Sequence, residues 1–455
     1  GAVYIVWGGA SLGSDINLGA VSAAPGASSA TALVITGSEN GQQFGGGAGS
    51  LSSAGDFNGD GVADLLIGHA ASDRLGADAG IGYVIFGNRS STPPNLRVDA
   101  LTTNGLEIRP ASAGIGLGSS VTLVGDFNND GLDDIAIGAA NDFAVSSGAG
   151  SVTMVFGRTG TGAVDLGTLP AGAGFRLTTA VPGAALGSAL SAGELNGDGL
   201  PDLVMGAPGN DEAYVIYGFT SGSYSTVDVD TLSSAQGFAI LPSAAGDGLG
   251  SALASGGDFN GDGIDDLLIG LPSADAEGTD AGSGWLLLGV SGSSRPTVDL
   301  AVTASDRFQI RAAAASDQLG TDVAMLQATG DGLVDLVIGV PGSDQGGTDS
   351  GEVLVINGTA FGNSLLPGTT GSGAADNING TPADDLLIGG GGADVLYGGA
   401  GSDILRVADL GFFRVDGGRG NPLTGMDALQ LTGFGQVLDL TTLVPGLIQG
   451  IEMID

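Results

Sequence analysis

GDFNGDGIDDLLIG, residues 257–270, reads as a tight acidic loop running into an apolar strand. Side-chain oxygens stand at alternate positions, on Asp258, Asn260 and Asp262; Gly263 follows at the sixth position and Asp266 at the ninth. Oxygens at positions 1, 3 and 5 converge when the chain coils, a glycine at 6 allows that turn, and position 7 (Ile264) offers a backbone carbonyl. This is a hard-donor set suited to Ca²⁺. Position 12, which is Glu in helix–loop–helix calcium loops, is Ile269 inside the strand, so the loop belongs to a β-hairpin.

The stretch recurs as GDFNGDGVADLLIG (55–68), GDFNNDGLDDIAIG (125–138), GELNGDGLPDLVMG (193–206) and LQATGDGLVDLVIG (326–339). Successive copies stand 70, 68, 64 and 69 residues apart, a period that marks one supersecondary unit per copy. The corresponding candidate ligands are Asp56, Asn58, Asp60, Val62 and Asp64; Asp126, Asn128, Asp130, Leu132 and Asp134; Glu194, Asn196, Asp198, Leu200 and Asp202. The third copy opens with Glu194, whose extra methylene shifts the oxygen. The fifth keeps only Asp331 and Asp335 as charged ligands, since Gln327 and Thr329 replace two others, and its affinity should be lowest. Phe57, Phe127, Leu195 and Phe259 at position 2 are expected in the core between units.

Each copy is preceded by a short small-residue strand and followed by a Gly/Asp/Ser loop. Two further strands complete the unit, of the types GYVIFG (82–87) and LEIRP (106–110). Four Gly-bounded strands per unit with no helical period read as blades of a β-propeller, in an all-β chain of six or seven blades.

Composition narrows the chemistry. The chain has 455 residues, 50 acidic side chains, 12 basic ones (all Arg) and a net charge of −38, which repels phosphate backbones and argues against nucleic-acid binding. With no Cys or Lys and one His, His69, the chain lacks thiolate, Schiff-base and histidine-relay chemistry; no G-x-S-x-G elbow occurs, and the expectation is a non-enzyme. The pairs Asp133-Asp134 and Asp265-Asp266 are read as parts of the calcium loops rather than as acid–base pairs. His69 stands where other copies have Ala or Leu and is expected in a loop. No apolar run reaches the ~20 residues that cross a bilayer. The chain opens on a strand-like stretch (1–8) without a leader, as an excised part of a longer protein would.

These residues resemble the FG-GAP repeat. The [FL]-G pairs are Phe44-Gly45, Leu117-Gly118, Leu186-Gly187, Leu249-Gly250 and Leu319-Gly320, and the G-A-P-like ends are Gly206-Ala207-Pro208, Gly270-Leu271-Pro272 and Gly339-Val340-Pro341. The resemblance covers residues 1–366 and implies a propeller similar to the integrin α head, with calcium loops on one face and ligand-contacting loops on the other. On that second face Asp73, Asp275 and Asp344 are the candidate ligand-binding residues, suited to a cationic or divalent-bridged partner.

From residue 367 to 455 the pattern changes. Asp376, Asp385, Asp394 and Asp403 are nine apart, each followed two residues later by Ile378, Leu387, Leu396 or Leu405. This resembles the RTX nonapeptide, which implies a parallel β-roll with Asp385, Asp394 and Asp403 among its calcium residues. DNINGTPADDLLIG (376–389) also aligns with the propeller loop, so a decayed sixth repeat closing the ring stands beside the roll reading. The combined expectation is a calcium-stabilised extracellular adhesion or ligand-binding module of a bacterial surface or secreted protein, exported by type I secretion as the RTX resemblance implies. Its partner would be a protein or glycan at the cell surface, with self-association a further possibility. The alternatives are a structural subunit of a surface layer or matrix, and an accessory domain of a secreted hydrolase.

Overall fold

Short runs of aliphatic and β-branched residues bounded by glycine form strands almost throughout. The computed structural model describes residues 2–6, 32–39, 44–46, 50–89, 94–143, 146–220, 226–292, 294–304, 306–328, 334–348, 350–358, 368–370, 377–379, 385–390, 392–399, 403–407, 412, 414–418, 428–431, 448–449, 451 and 453–454. Two compact units emerge: Gly1–Gly257 with Ile264–Leu326 and Leu336–Val355, and Asp258–Gly263 with Gln327–Asp335 and Ile356–Asp455.

The first unit repeats one meander. It opens with β1 (Ala2–Val6) and β2 (Ala32–Thr36), antiparallel to each other. β3 (Leu51–Gly55), β4 (Asp64–His69), β5 (Ile81–Ile85) and, beyond a short β6 (Leu96–Arg97), β7 (Gly105–Arg109) form a full antiparallel sheet. The same order returns in β8 (Val121–Gly125), β9 (Asp134–Ala139), β10 (Ser151–Val155) and, past β11 (Val164–Asp165), β12 (Gly174–Thr178). It returns again in β13 (Leu190–Gly193), β14 (Asp202–Ala207), β15 (Glu212–Ile216) and, past β16 (Thr226–Asp228), β17 (Gly237–Leu241). A fourth sheet holds β18 (Ala252–Gly257), β19 (Asp266–Leu271), β20 (Ser283–Leu287) and, past β21 (Val298–Asp299), β22 (Arg307–Arg311). β23 (Val323–Leu326), β24 (Asp335–Val340) and β25 (Glu352–Ile356) complete the series.

The first strands β3, β8, β13, β18 and β23 neighbour one another in sequence order. Leu123 N donates to Ser52 Oγ at 3.0 Å and Ser255 N to Ser191 Oγ at 2.9 Å across two of these junctions. Sheets stacked by their inner strands are the blades of a propeller. The expected all-β propeller is therefore the observed fold; among the described residues no pairing closes the ring, and its blade number stays open.

The short strands do something the repeat pattern conceals. β6, β11, β16 and β21 each leave their own blade and pair in parallel with the outer strand of the preceding one, β2, β7, β12 and β17. They thereby cover edges that would otherwise present unpaired backbone. Between blades lie apolar layers. Phe57, Phe127 and Phe259 are fully buried and Leu195 nearly so, with the Phe127 ring 5.9 Å from Phe175 and 5.6 Å from Phe219, which makes position 2 a packing position.

Glycines of successive repeats meet in space. Gly118, with a φ of +88°, lies against Gly68 of the preceding blade, where a Cβ on either would collide with backbone of the other; Gly187 stands likewise against Gly138, Gly250 against Gly206 and Gly320 against Gly270. The glycine ahead of the first strand and the one late in the second are thus the two sides of one close backbone approach.

In the second unit, β26 (Gly368–Thr370), β27 (Asn377–Asn379), β28 (Leu386–Gly390), β29 (Val395–Gly399), β30 (Ile404–Val407), β31 (Arg414–Gly418), β32 (Ala428–Leu431), β33 (Ile448–Gln449) and β34 (Met453–Ile454) alternate between two parallel sheets. Ile378 pairs with Leu396 and Leu387 with Leu405, so same-sheet neighbours are two nonapeptides apart. Ile378, Leu387, Leu396, Leu405, Val415 and Leu429 pack as one buried core. This is a parallel β-roll. It also resolves the competing reading of 376–389: β27 and β28 fall in different parallel sheets and do not form the antiparallel hairpin of a sixth repeat.

Candidate metal centres

Each acidic loop joins the first and second strands of a blade and is held by its own carboxylates. In the first, Asp56 Oδ1 accepts from Asp60 N at 2.9 Å and Oδ2 from Gly61 N at 2.8 Å; Asn58 Oδ1 also accepts from Asp60 N, and Asp60 Oδ1 accepts from Val62 N, both at 2.9 Å. The second loop repeats this pattern through Asp126, Asn128 and Asp130, with N–H groups of Asp130, Gly131 and Leu132 as donors at 2.8–3.0 Å. In the fourth, Asp258 accepts from Asp262 N and Gly263 N, and Asn260 from Asp262 N. The third departs: Glu194 Oε1 takes both Asn196 N and Asp198 N, and among the described residues no bond reaches Gly199 N. The longer side chain is accommodated by folding one oxygen over the loop.

Position 9 has a role that ligand counting missed. Asp64, Asp134, Asp202, Asp266 and Asp335 are all buried. One carboxylate oxygen of each accepts from the N–H of the glycine two residues past the third strand, in turn Gly87, Gly157, Gly218, Gly289 and Gly358, at 2.8–3.0 Å. In at least three copies the other oxygen accepts from the position 2 N–H, of Phe127, Leu195 or Ala328. The ninth residue therefore ties loop to blade, which explains why the fifth copy keeps Asp335 after losing other ligands. Asp331 lies outside the described residues.

Asp133 and Asp265, at position 8, reach neighbouring loops. Asp133 Oδ2 accepts from Asp56 N at 2.7 Å and Asp265 Oδ2 from Glu194 N at 2.9 Å. The adjacent carboxylates are therefore loop fasteners. Val62, Leu132, Leu200 and Ile264 are half-buried at the loop exits.

The electrostatics favour a cation at these loops. Burial pushes the Asp64 carboxyl up to about 6, with Asp60 and Asp56 adding to the rise and the Gly87 N–H opposing it. Burial likewise raises Asp134 to about 7 and Asp202 to about 8, their loop carboxylates contributing. Asp64 Oδ2 is buried without a hydrogen-bond partner. Such carboxylates are relieved by a proton or by a metal ion. Among the described residues no three His, Asp or Glu side chains already surround a metal-sized point. In the first loop, however, Asp56 Oδ1 and Oδ2 each accept one N–H, and a carboxylate oxygen has two lone pairs.

In the roll, Asp394 and Asp403 are buried and Asp385 half-buried. Asp385 N donates to Asp403 Oδ1 at 2.9 Å, so these positions are two turns of one stack.

The loops between second and third strands emerge at the opposite end from the acidic loops, as an antiparallel meander requires. Asp73, Asp275 and Asp344 are exposed there. They also shape their loops: Asp73 Oδ1 accepts from Asp78 N and Asp275 Oδ1 from Asp280 N, both at 2.8 Å. His69 is not a loop residue. It ends β4, only 4% exposed, with its Nδ1 3.8 Å from Glu39 Oε2 and its ring edge-on to Phe44; Nε2 has no hydrogen-bond partner.

With this geometry, known proteins that resemble the chain are informative. The FG-GAP repeat matches residues 48–85, 186–227 and 249–287, and the RTX calcium-binding nonapeptide repeat matches 370–405. Phosphatidylinositol-glycan-specific phospholipase D of Rattus norvegicus is 34% identical over 188 residues, 39% of this chain and 21% of that protein. Integrin alpha-PS5 of Drosophila melanogaster is 32% identical over 178 residues, 39% of this chain and 16% of the integrin. The chain thus spans about a fifth of the length of these curated relatives. Among solved structures, the V. cholerae biofilm matrix protein Bap1 aligns over 68% of this chain and 37% of its own, with a TM-score of 0.30 and 14% identity. Three FG-GAP repeats and an RTX repeat are present, and among the described residues no helix is long and apolar enough to cross a membrane.

Proposed function

We propose that this chain is a calcium-stabilised, non-enzymatic binding module that works outside the cell, with residues 1–366 as propeller and 367–455 as calcium roll. The observation that carries the reading is the repeated loop: one hydrogen-bond pattern, one buried ninth carboxylate and one clustering of negative charge in successive blades. Ca²⁺ would be held by oxygens of positions 1, 3, 5 and 9 and the carbonyl of position 7, and in the roll by Asp385, Asp394 and Asp403. Its chemistry there is to neutralise carboxylates that otherwise repel one another. The opposite loops, carrying Asp73, Asp275 and Asp344, are where a protein or glycan partner would dock. The phospholipase name belongs to relatives that share a fifth of their length with this chain, and that activity is not carried over.

Calorimetric titration with Ca²⁺ tests the reading. Wild type should take up ion at the first, second and fourth loops most tightly, and Asp60→Ala or Asp262→Ala should each remove one such site. Full uptake by both variants would overturn the assignment.

A structural subunit is the second reading, favoured by β25. Val353 is 66% and Val355 46% exposed on that strand, an apolar strip suited to packing against another chain. A concentration-dependent mass in light scattering would support it.

A further inference from the structure

One blade has a hole where three others have a ring. At equivalent positions of the third strands stand Tyr83, Tyr214 and Trp285, all buried, but the blade of β8–β12 has Thr153. A cavity of about 400 Å³ opens there, lined by Thr153 together with Thr168, Thr226 and apolar side chains that include Ile115 and Leu117. That volume is in the range of small-molecule sites, ~300–1,000 Å³.

The partner of Thr153 across the strand pair is Arg176, where the other blades have Glu107, Ala239 and Gln309. Its Nη2 is paired with Asp142, which is 3% exposed and also accepts from Ser151 Oγ at 2.7 Å. Nη2 also lies 3.3 Å from Ser151 Oγ, whereas among the described residues Nε and Nη1 of Arg176 meet no acceptor. The Arg176 side chain is 30% exposed, so these donors face the open cavity, where a ligand can take the place of solvent.

We propose that this cavity binds a neutral sugar unit. Arg176 is already neutralised by Asp142, so the cavity wall presents no net charge for a charged ligand of either sign to pair with, and the chain's charge of −38 further disfavours an anion. The remaining ligand is an uncharged one whose hydroxyls can accept from Arg176, exchange hydrogen bonds with Thr153, Thr168 and Thr226, and lay a C–H face on Ile115 and Leu117. This site shares no residue with the acidic loops or with Asp73, Asp275 and Asp344, and does not rest on their assignment.

The test is saturation-transfer NMR on the whole chain in calcium. The probes are methyl α-glucoside, methyl β-galactoside and N-acetylglucosamine, with acetate and choline as charged controls. At least one sugar should bind and neither control should. Thr153→Tyr, which installs the ring of the sister blades, should abolish sugar binding. The double variant Asp142→Asn with Arg176→Gln, which keeps the cavity but not the charge pair, should weaken it about tenfold or more. Calcium uptake should be unchanged in both, separating failure here from failure of the loop assignment. No binding of any sugar, binding of acetate or choline instead, or unchanged sugar affinity in the folded variants would overturn the proposal.

Discussion

Glu194 shows what one methylene does inside a metal loop. Asp56 and Asp126 each spread two oxygens over two backbone N–H groups, while among the described residues Glu194 uses one oxygen for both of its bonds and leaves Gly199 N unbonded. Glu194→Asp should restore the pattern and tighten Ca²⁺ binding at this loop by several-fold, read in calorimetry as a fourth site joining the tight class of the first, second and fourth loops; an unchanged isotherm would contradict it. Positions 1, 3 and 5 were legible in the sequence because alternate oxygens before a glycine have few other uses. The second role of position 9 was not, since a carboxylate that ties strand to loop looks the same on paper as a ligand. The signal that could have found it is the survival of Asp335 in a copy whose other ligands have changed.

Strands and turns set the next scale. Gly187 (φ +87°) faces backbone of the preceding blade, whereas Gly246 (φ +91°) has open space where a Cβ would go. Both should suffer left-handed strain of about 1–2 kcal/mol on mutation to Ala. Gly187→Ala should lower the melting temperature much further, because it must also push two blades apart; equal losses would remove the close approach from the account. At the end of β4, burial holds the His69 imidazole below its ordinary 6.5, with Glu39 opposing. The unfolded chain therefore binds the proton more readily, and stability falls as pH drops through that window. His69→Gln should flatten this part of the melting-temperature profile between about pH 7 and about pH 5, and an identical slope would contradict it. The long strands were legible from their apolar runs and glycine borders. The two- and three-residue strands β6, β11, β16 and β21 were not, being too short to carry a period, although Val-Asp at 164–165, 227–228 and 298–299 repeats at these places.

At the scale of the molecule, charge and metal are one problem. Fifty acidic residues against twelve arginines leave −38, and the acidic loops concentrate part of it at one end of the blades. Ion binding to the native state alone should add about 2.7 kcal/mol per site at a hundredfold excess over Kd. Melting in excess calcium should therefore occur well above melting in EDTA, and superimposable curves would count against a metal-dependent fold. Propeller and roll were both visible as periods of the sequence. The ring's closure was not, because β1 and β2 carry no acidic loop to count. The central claim is most directly tested by a crystal structure grown in calcium chloride. It should show density peaks bound by six or seven oxygens at about 2.3–2.6 Å in the loops of Asp56, Asp126 and Asp258, and loops left without such peaks at saturating calcium would contradict it.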